Sequence, residues 1–143
     1  MDAEVFRVES DPHHGTAMSS ARLVSIVDDD ESARLAAANL VRSMGWQTCT
    51  FASAEAYLQS MQGADGGATG CLLSDVRMPV ISGVEMFERL LALGIAPPTV
   101  FMTAFPTDAL RAHVLARGAL ALLEKPLDVA ALAQHLTRVL GTP

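Results

Sequence analysis

The chain has 143 residues, 50% of them hydrophobic, and its 16 acidic side chains against 10 Lys and Arg give a formal net charge of −6. This length suits one domain with one core, and the composition is too apolar for a disordered chain. The acidic balance argues against a nucleic-acid binder, and no apolar run reaches the ~20 residues that span a bilayer. The acidic N-terminus is unlike a signal peptide and two cysteines are too few for a disulfide framework, so we expect a cytoplasmic protein.

The first twenty residues differ in character from the rest. The turn-forming run Asp11-Pro12-His13-His14-Gly15 interrupts them, and no apolar period passes through. We predict a disordered leader over residues 1–20, with Met18 as an alternative start, and one folded domain over residues 21–143. Only three residues follow Leu140, so we expect no output domain within this sequence.

Five apolar runs of strand length then alternate with five segments of helical period. The strand runs cover residues 23–27, 46–51, 70–74, 99–102 and 119–123. Gly45 is placed to end the first helix, Ser53 and Thr107 stand where N-caps belong before the second and fourth, and Pro126 marks the start of the fifth.

This alternation requires parallel strands with helices on both faces of the sheet, which continuous apolar strands also favour. We predict an α/β fold with a doubly wound five-stranded parallel sheet.

Polar side chains follow four of the five predicted strands. They are Asp28 and Asp29 after the first strand, Asp75 at the end of the third, Thr103 at the end of the fourth and Lys125 after the fifth. Ligands of such sheets bind at the carboxyl ends of the strands. Clustered carboxylates repel one another unless a cation such as Mg²⁺ joins them, and an aspartate can attack phosphorus. Each residue alone is commonplace at a strand end, but their joint occurrence predicts phosphoryl chemistry.

Several motifs carry a resemblance to a known family. They are Val27-Asp28-Asp29-Asp30, Leu73-Ser74-Asp75-Val76-Arg77-Met78-Pro79, Ser82-Gly83, Met102-Thr103-Ala104 and Glu124-Lys125-Pro126. With them the chain, from about Arg22 to Leu140, resembles a bacterial response-regulator receiver domain of two-component signalling. The resemblance implies a flavodoxin-like (βα)5 fold with strand order 2-1-3-4-5. In that order the strands that carry Cys49 and Cys71 do not touch, so no disulfide is expected. The residues of the first two motifs are similar to those of the FixJ subgroup, whose receivers are usually joined to helix-turn-helix output domains.

The resemblance implies that Asp75 accepts a phosphoryl group from a sensor histidine kinase or a histidine phosphotransfer protein. It implies Mg²⁺ as cofactor, held by Asp28, Asp29, Asp75 and the backbone carbonyl of Arg77. Thr103 and Lys125 would each hold a phosphoryl oxygen. Such a protein is not an enzyme beyond gaining and losing its own phosphoryl group.

The resemblance also implies a switched surface, formed by the fourth helix, fifth strand and fifth helix, that controls an output protein partner. A homodimer through this surface is compatible with the resemblance, and we expect no direct contact with nucleic acid or membrane. Two positions depart from the common pattern. Leu122 stands where receivers usually have an aromatic residue, so we expect altered coupling to the surface. Phe105 either hinders water at the phosphoryl group or merely shields a loop.

Three other interpretations stay open. The chain could be an interaction module that works without phosphorylation, or a receiver separated from a DNA-binding regulator. A turnover phosphatase with an aspartyl intermediate, of the haloacid-dehalogenase kind, is the third. That class needs a second acid two residues after the nucleophile, and Arg77 occupies this place.

Overall fold

The computed structural model describes residues 23–62 and 69–143, in which five strands alternate with five helices. The strands are β1 (Leu23–Val27), β2 (Gln47–Phe51), β3 (Cys71–Asp75), β4 (Thr99–Thr103) and β5 (Ala121–Glu124). The helices are α1 (Glu31–Ser43), α2 (Ala54–Ser60), α3 (Gly83–Ala92), α4 (Asp108–Ala116) and α5 (Val129–Leu140). The predicted leader, residues 1–20, lies outside the described residues.

All five strands pair in parallel, in the order β2-β1-β3-β4-β5, which confirms the predicted fold class. Every residue of β3 and β4 is buried, because helices cover both faces of the sheet. On one face the sheet packs against Leu132 and Leu136 of α5 and Val41 of α1. On the other it packs against helices α2 to α4 through residues such as Tyr57 and Phe87.

The predicted helix ends are confirmed at three positions and wrong at one. Gly45 follows α1 with a φ of 101°, and Ser53 and Thr107 cap α2 and α4 by accepting backbone N–H groups at 3.0 Å. The fifth helix does not start at Pro126. Asp128 is its N-cap, because its side chain accepts the N–H of Ala131 at 3.0 Å, and α5 therefore begins at Val129.

Strand register brings the carboxyl ends of the strands to one level. Asp75 of β3 lies beside Met102 of β4, and Thr103 of β4 lies beside Glu124 of β5. The strand-end residues that the sequence singles out therefore meet at one edge of the sheet.

Cys49 and Cys71 are both buried, on β2 and β3, and no disulfide links them, as expected. Among the helices of the described residues, none combines the length and the apolar character that crossing a bilayer requires.

Candidate functional site

Three carboxylates from two neighbouring strands form the centre of the site. Asp28 and Asp29 follow β1, Asp75 ends β3, and one carboxylate oxygen from each lies within 4.8 Å of the others. The side chain of Asp29 is exposed, whereas Asp28 is 0% and Asp75 is 8% exposed. Two of the three acids are thus held in a buried setting, where charge repulsion between them is poorly screened.

Asp28 is the most firmly held of the three. Its backbone N–H donates to the carbonyl of Phe51 at 3.1 Å, at the end of β2. Its Oδ1 accepts the N–H of Asp30 at 2.9 Å, and its Oδ2 accepts the ammonium of Lys125 at 2.8 Å. The backbone carbonyl of Asp28 accepts Nη1 of Arg34 at 2.8 Å. Position and orientation of this carboxylate are therefore both fixed.

Lys125, the one lysine in the sequence, supplies positive charge to the pocket. Besides its bond to Asp28, its Nζ lies 3.5 Å from Oδ1 of Asp75. Burial opposes the charged form of Lys125, but the hydrogen bond to Asp28 and the charges of Asp28 and Asp75 outweigh it and raise the pKa of the lysine. Lys125 is therefore an ammonium donor across the physiological pH range.

Burial raises the pKa of Asp75 above the ordinary aspartate value. The positive charge of Lys125 lowers it, the negative charge of Asp28 raises it, and the net result is an increase. A raised pKa marks a carboxylate with poor solvation and strong basicity, which favours reaction with an electrophile.

Thr103 lies at the end of β4, the strand beside β3, and is buried. Its hydroxyl accepts the backbone N–H of Phe105 at 3.2 Å, and its carbonyl accepts the N–H of Lys125 at 2.8 Å. A hydroxyl that accepts one bond keeps its own proton for another acceptor. The ring of Phe105 is 70% exposed on the loop that follows.

The loop after Asp75 carries Arg77. The N–H of Val76 donates to the carbonyl of Met102 at 3.0 Å, and the carbonyl of Val76 accepts the N–H of Gly83 at 2.9 Å. The side chain of Arg77 is exposed, and a metal-binding role for its backbone carbonyl stays a prediction.

Leu122 does not belong to the pocket. Its side chain is 3% exposed and packs with Phe101 and Val114 beneath α4, while its carbonyl accepts Nη1 of Arg111 at 2.7 Å. Sequence reasoning missed both Arg111 and Arg34, because an arginine on an amphipathic helix is normally a solvated surface residue. The position of Arg34, about one helical turn after the acidic run, could have indicated a contact with the residues of that run.

The donor set suits a hard divalent cation. Three carboxylates converge, two of them are buried, and oxygen-only ligation is what Mg²⁺ prefers. The arrangement combines a poorly solvated carboxylate with an ammonium beside it and, at the end of the neighbouring strand, the hydroxyl of Thr103. Those are the parts that a transferring phosphoryl group needs.

Comparison with known proteins shows which family the chain resembles. A family model described as "Response regulator receiver domain" matches residues 24–137. The transcriptional regulatory protein FixJ of Azorhizobium caulinodans is 36% identical over 118 residues, which cover 82% of this chain and 54% of that protein. Nodulation protein W of Bradyrhizobium diazoefficiens is 35% identical over 111 residues, which cover 78% of this chain and 48% of that protein. The chain thus spans about half the length of these curated relatives.

Solved structures show the same fold. A response regulator receiver protein from Burkholderia phymatum matches with a TM-score of 0.73 and 34% identity, over 85% of this chain and 96% of that one. The structure of FixJ-N matches with a TM-score of 0.70 and 30% identity, over 82% of this chain and 91% of that one.

Proposed function

This chain belongs to the response regulator receiver domain family, and from that membership we propose that it is a phosphorylation-dependent switch whose phosphoryl acceptor is Asp75. Receiver domains of this family act in two-component systems as signalling modules and are not classical enzymes. The pocket around Asp75 is the part of the chain with the chemistry for this role.

One observation carries the proposal. Lys125 reaches across the sheet from the end of β5, so that its ammonium contacts Asp28 at 2.8 Å and Asp75 at 3.5 Å. Lys125 and Asp28 are 97 residues apart in sequence, yet they share one pocket with Asp75. A buried acid cluster costs stability, which makes a functional role the best account of it.

The proposed step is transfer of a phosphoryl group from a phosphohistidine. An oxygen of the Asp75 carboxylate attacks phosphorus, the new P–O bond forms, and the P–N bond breaks with its electron pair returning to the imidazole. Lys125 and the hydroxyl of Thr103 hold two of the phosphoryl oxygens. Asp28, Asp29 and Asp75, with the backbone carbonyl of Arg77, would hold Mg²⁺, which supplies charge neutralisation for the equatorial oxygens when bound.

The signal would arise from the change in charge at Asp75. Phosphorylation replaces one negative charge by nearly two and adds acceptor oxygens. In this exchange the hydroxyl of Thr103 moves toward the phosphoryl group and donates its proton there, and the movement takes its oxygen out of reach of the N–H of Phe105. Because Phe105 leads into α4, this exchange shifts the surface formed by α4, β5 and α5 toward a second arrangement.

We propose a sensor histidine kinase or a histidine phosphotransfer protein as the phosphoryl donor, and a protein that binds the α4–β5–α5 surface as the output partner. A homodimer through the same surface is part of the proposal. No described helix suits a membrane span, and the net charge of −6 opposes direct DNA contact by the chain itself.

A second candidate has a specific observation in its favour. The curated relatives named as transcriptional regulatory proteins are about twice as long as the matched region, so this domain can equally be the receiver part of a DNA-binding regulator. Both candidates use the same chemistry at Asp75 and differ in what the switched surface controls.

Incubation with acetyl phosphate and Mg²⁺, followed by intact mass measurement, tests the acceptor role. We expect the mass gain of one phosphoryl group in the wild type, none in Asp75→Asn, and an unchanged gain in Asp108→Asn, which removes an exposed acid of α4 outside the cluster. No gain in the wild type would favour a passive interaction module. Multiple turnover of an added phosphoester would favour a phosphatase.

A further inference from the structure

Arg34 contacts the backbone beside the acid cluster, whereas Lys125 contacts its carboxylates. It lies in the first turns of α1, half-buried, and its Nη1 donates to the backbone carbonyl of Asp28 at 2.8 Å. Its own backbone N–H donates to the carbonyl of Asp30 at 2.9 Å, as part of the helix. One residue thus binds the turn between β1 and α1 at both ends.

The contacted carbonyl belongs to the peptide unit that joins Asp28 to Asp29. A peptide unit is planar, so a bond to its oxygen fixes the plane and limits the direction in which the next side chain leaves the backbone. The N–H of Asp28 is bonded to Phe51 and its carboxylate to the N–H of Asp30. The bond from Arg34 adds the carbonyl of Asp28 to the groups of this residue that are held by a hydrogen bond.

Arg34 also brings a positive charge to the backbone of Asp28, and this second effect has the opposite sign for metal binding. If charge alone mattered, removing Arg34 would leave a more negative pocket and tighten the binding of a cation. If positioning matters more, removing it loosens the turn that carries two of the three acids and weakens cation binding. Partners that orient a metal ligand typically affect metal affinity about 10–100-fold.

We propose that Arg34 is a positioning residue for divalent-cation binding, which acts by holding the Asp28–Asp29 peptide in place. This inference rests on the proposed function, because it takes the cluster of Asp28, Asp29 and Asp75 as the cation site. Arg34 itself touches neither the cation nor the phosphoryl group.

Titration of the folded chain with Mg²⁺ in a calorimeter gives the sign that decides between the two effects. We expect Arg34→Met to bind Mg²⁺ about 10-fold or more weakly than the wild type. Arg34→Lys keeps the charge and a donor on a flexible stem, so its affinity should fall between the two. Equal or tighter binding by Arg34→Met would overturn the proposal.

Arg42→Met is the matched control on the same helix. Arg42 lies at the far end of α1, where it bonds to Thr48 and Asn39, and its loss removes the same charge without touching the β1–α1 turn. If Arg42→Met binds Mg²⁺ as tightly as the wild type and Arg34→Met binds it weakly, the result supports a positioning role for Arg34. Equal weakening in both would attribute the effect to general loosening of α1 and count against it.

A metal-free measurement separates this inference from the proposed function. Amide hydrogen exchange in EDTA should be faster at Asp30, whose N–H bonds to Asp28, in Arg34→Met than in Arg42→Met. Unchanged exchange there would contradict the positioning role. Failure of the wild type to bind Mg²⁺ or to gain a phosphoryl group would instead overturn the proposed function.

Discussion

Lys125 Nζ lies 2.8 Å from Oδ2 of Asp28, so the one lysine of the chain pairs with a carboxylate that is wholly buried. The lysine side chain is 22% exposed, and its second neighbour is Asp75 at 3.5 Å. Before any phosphoryl group or cation arrives, this ammonium compensates the repulsion within the acid cluster. The same group therefore serves the stability of the resting fold and the chemistry proposed for the pocket.

Substituting Lys125 by Met should destabilise the protein by about 3 kcal/mol in EDTA, because it leaves a buried carboxylate without its cationic partner. Urea unfolding measures this loss. Mg²⁺ should stabilise Lys125→Met more than the wild type, since a cation then replaces the missing charge. Arg89→Met is the control, because its pair with Glu85 is about half exposed and its loss should cost little. Equal losses of unfolding free energy in both variants would show that the buried pair contributes no more to stability than the exposed pair.

Asp75→Asn should make the protein more stable at neutral pH, by on the order of 1 kcal/mol, because it removes a charge that burial disfavours. Burial raises the pKa of Asp75, so the folded state holds that proton more tightly than the unfolded state does. Stability from this group is present below the ordinary aspartate pKa of about 3.9 and is lost as the pH rises through the folded-state pKa. Urea unfolding curves of the two proteins, followed from neutral pH down to that ordinary value, should therefore converge at the acid end. A wild type more stable than Asp75→Asn at neutral pH would contradict this.

The fold and the geometry of the acid cluster could largely be predicted from the sequence, for a physical reason. Strand-end residues such as Asp75 and Thr103 are brought together by the parallel sheet itself, so the strand order alone determines their neighbours. Contacts from helix surfaces could not be predicted. Arg34 and Arg111 reach backbone carbonyls through long side chains, and such bonds depend on helix placement that no local pattern encodes. The predicted start of α5 is wrong because Pro126 and Asp128 are both residues that suit the beginning of a helix. The helix begins after Asp128, whose side chain accepts the N–H of Ala131.

Gly83→Ala should destabilise the protein by more than about 2 kcal/mol, although alanine normally favours a helix over glycine. A Cβ at Gly83 would overlap the backbone carbonyl oxygen of Asp75, so either α3 or the end of β3 must move. Thermal unfolding measures the loss, and phosphoryl uptake should fall with it. At Gly94 a Cβ meets nothing within 4 Å and only the φ of 73° opposes it. Gly94→Ala should therefore cost about 1 kcal/mol and leave uptake unchanged. A larger loss of stability in Gly94→Ala than in Gly83→Ala would contradict the close approach of Gly83 to the carbonyl oxygen of Asp75.

Phe105→Ala should shorten the life of the aspartyl phosphate severalfold if the ring restricts access of water to the pocket. The ring is 70% exposed, so its removal should change the free energy of unfolding by no more than about 0.5 kcal/mol. Decay of the phosphorylated mass after removal of acetyl phosphate gives the rate. Phe105→Leu keeps an apolar side chain and should decay at an intermediate rate. An unchanged rate in Phe105→Ala would mean that the ring only covers the loop.

Leu122→Tyr tests whether the missing aromatic residue weakens the coupling between the pocket and the α4–β5–α5 surface. Leu122 is 3% exposed in a filled core under α4, so a larger ring that stays inside should cost about 1–3 kcal/mol. A tyrosine can avoid this cost if its ring is exposed to solvent before phosphorylation and buried under α4 after it. The position of the ring would then couple the pocket more strongly to the α4–β5–α5 surface. We therefore expect Leu122→Tyr to take up phosphoryl groups normally but to show a larger ratio of partner affinities with and without phosphorylation.

Leu120→Tyr, the same substitution at a position that is 37% exposed, should leave that ratio at its wild-type value. If Leu122→Tyr also leaves it unchanged, Leu122 does not limit the coupling. In that case α4 responds through other contacts, such as the bond from Arg111 to the Leu122 carbonyl, which joins α4 to β5 whatever side chain stands at position 122.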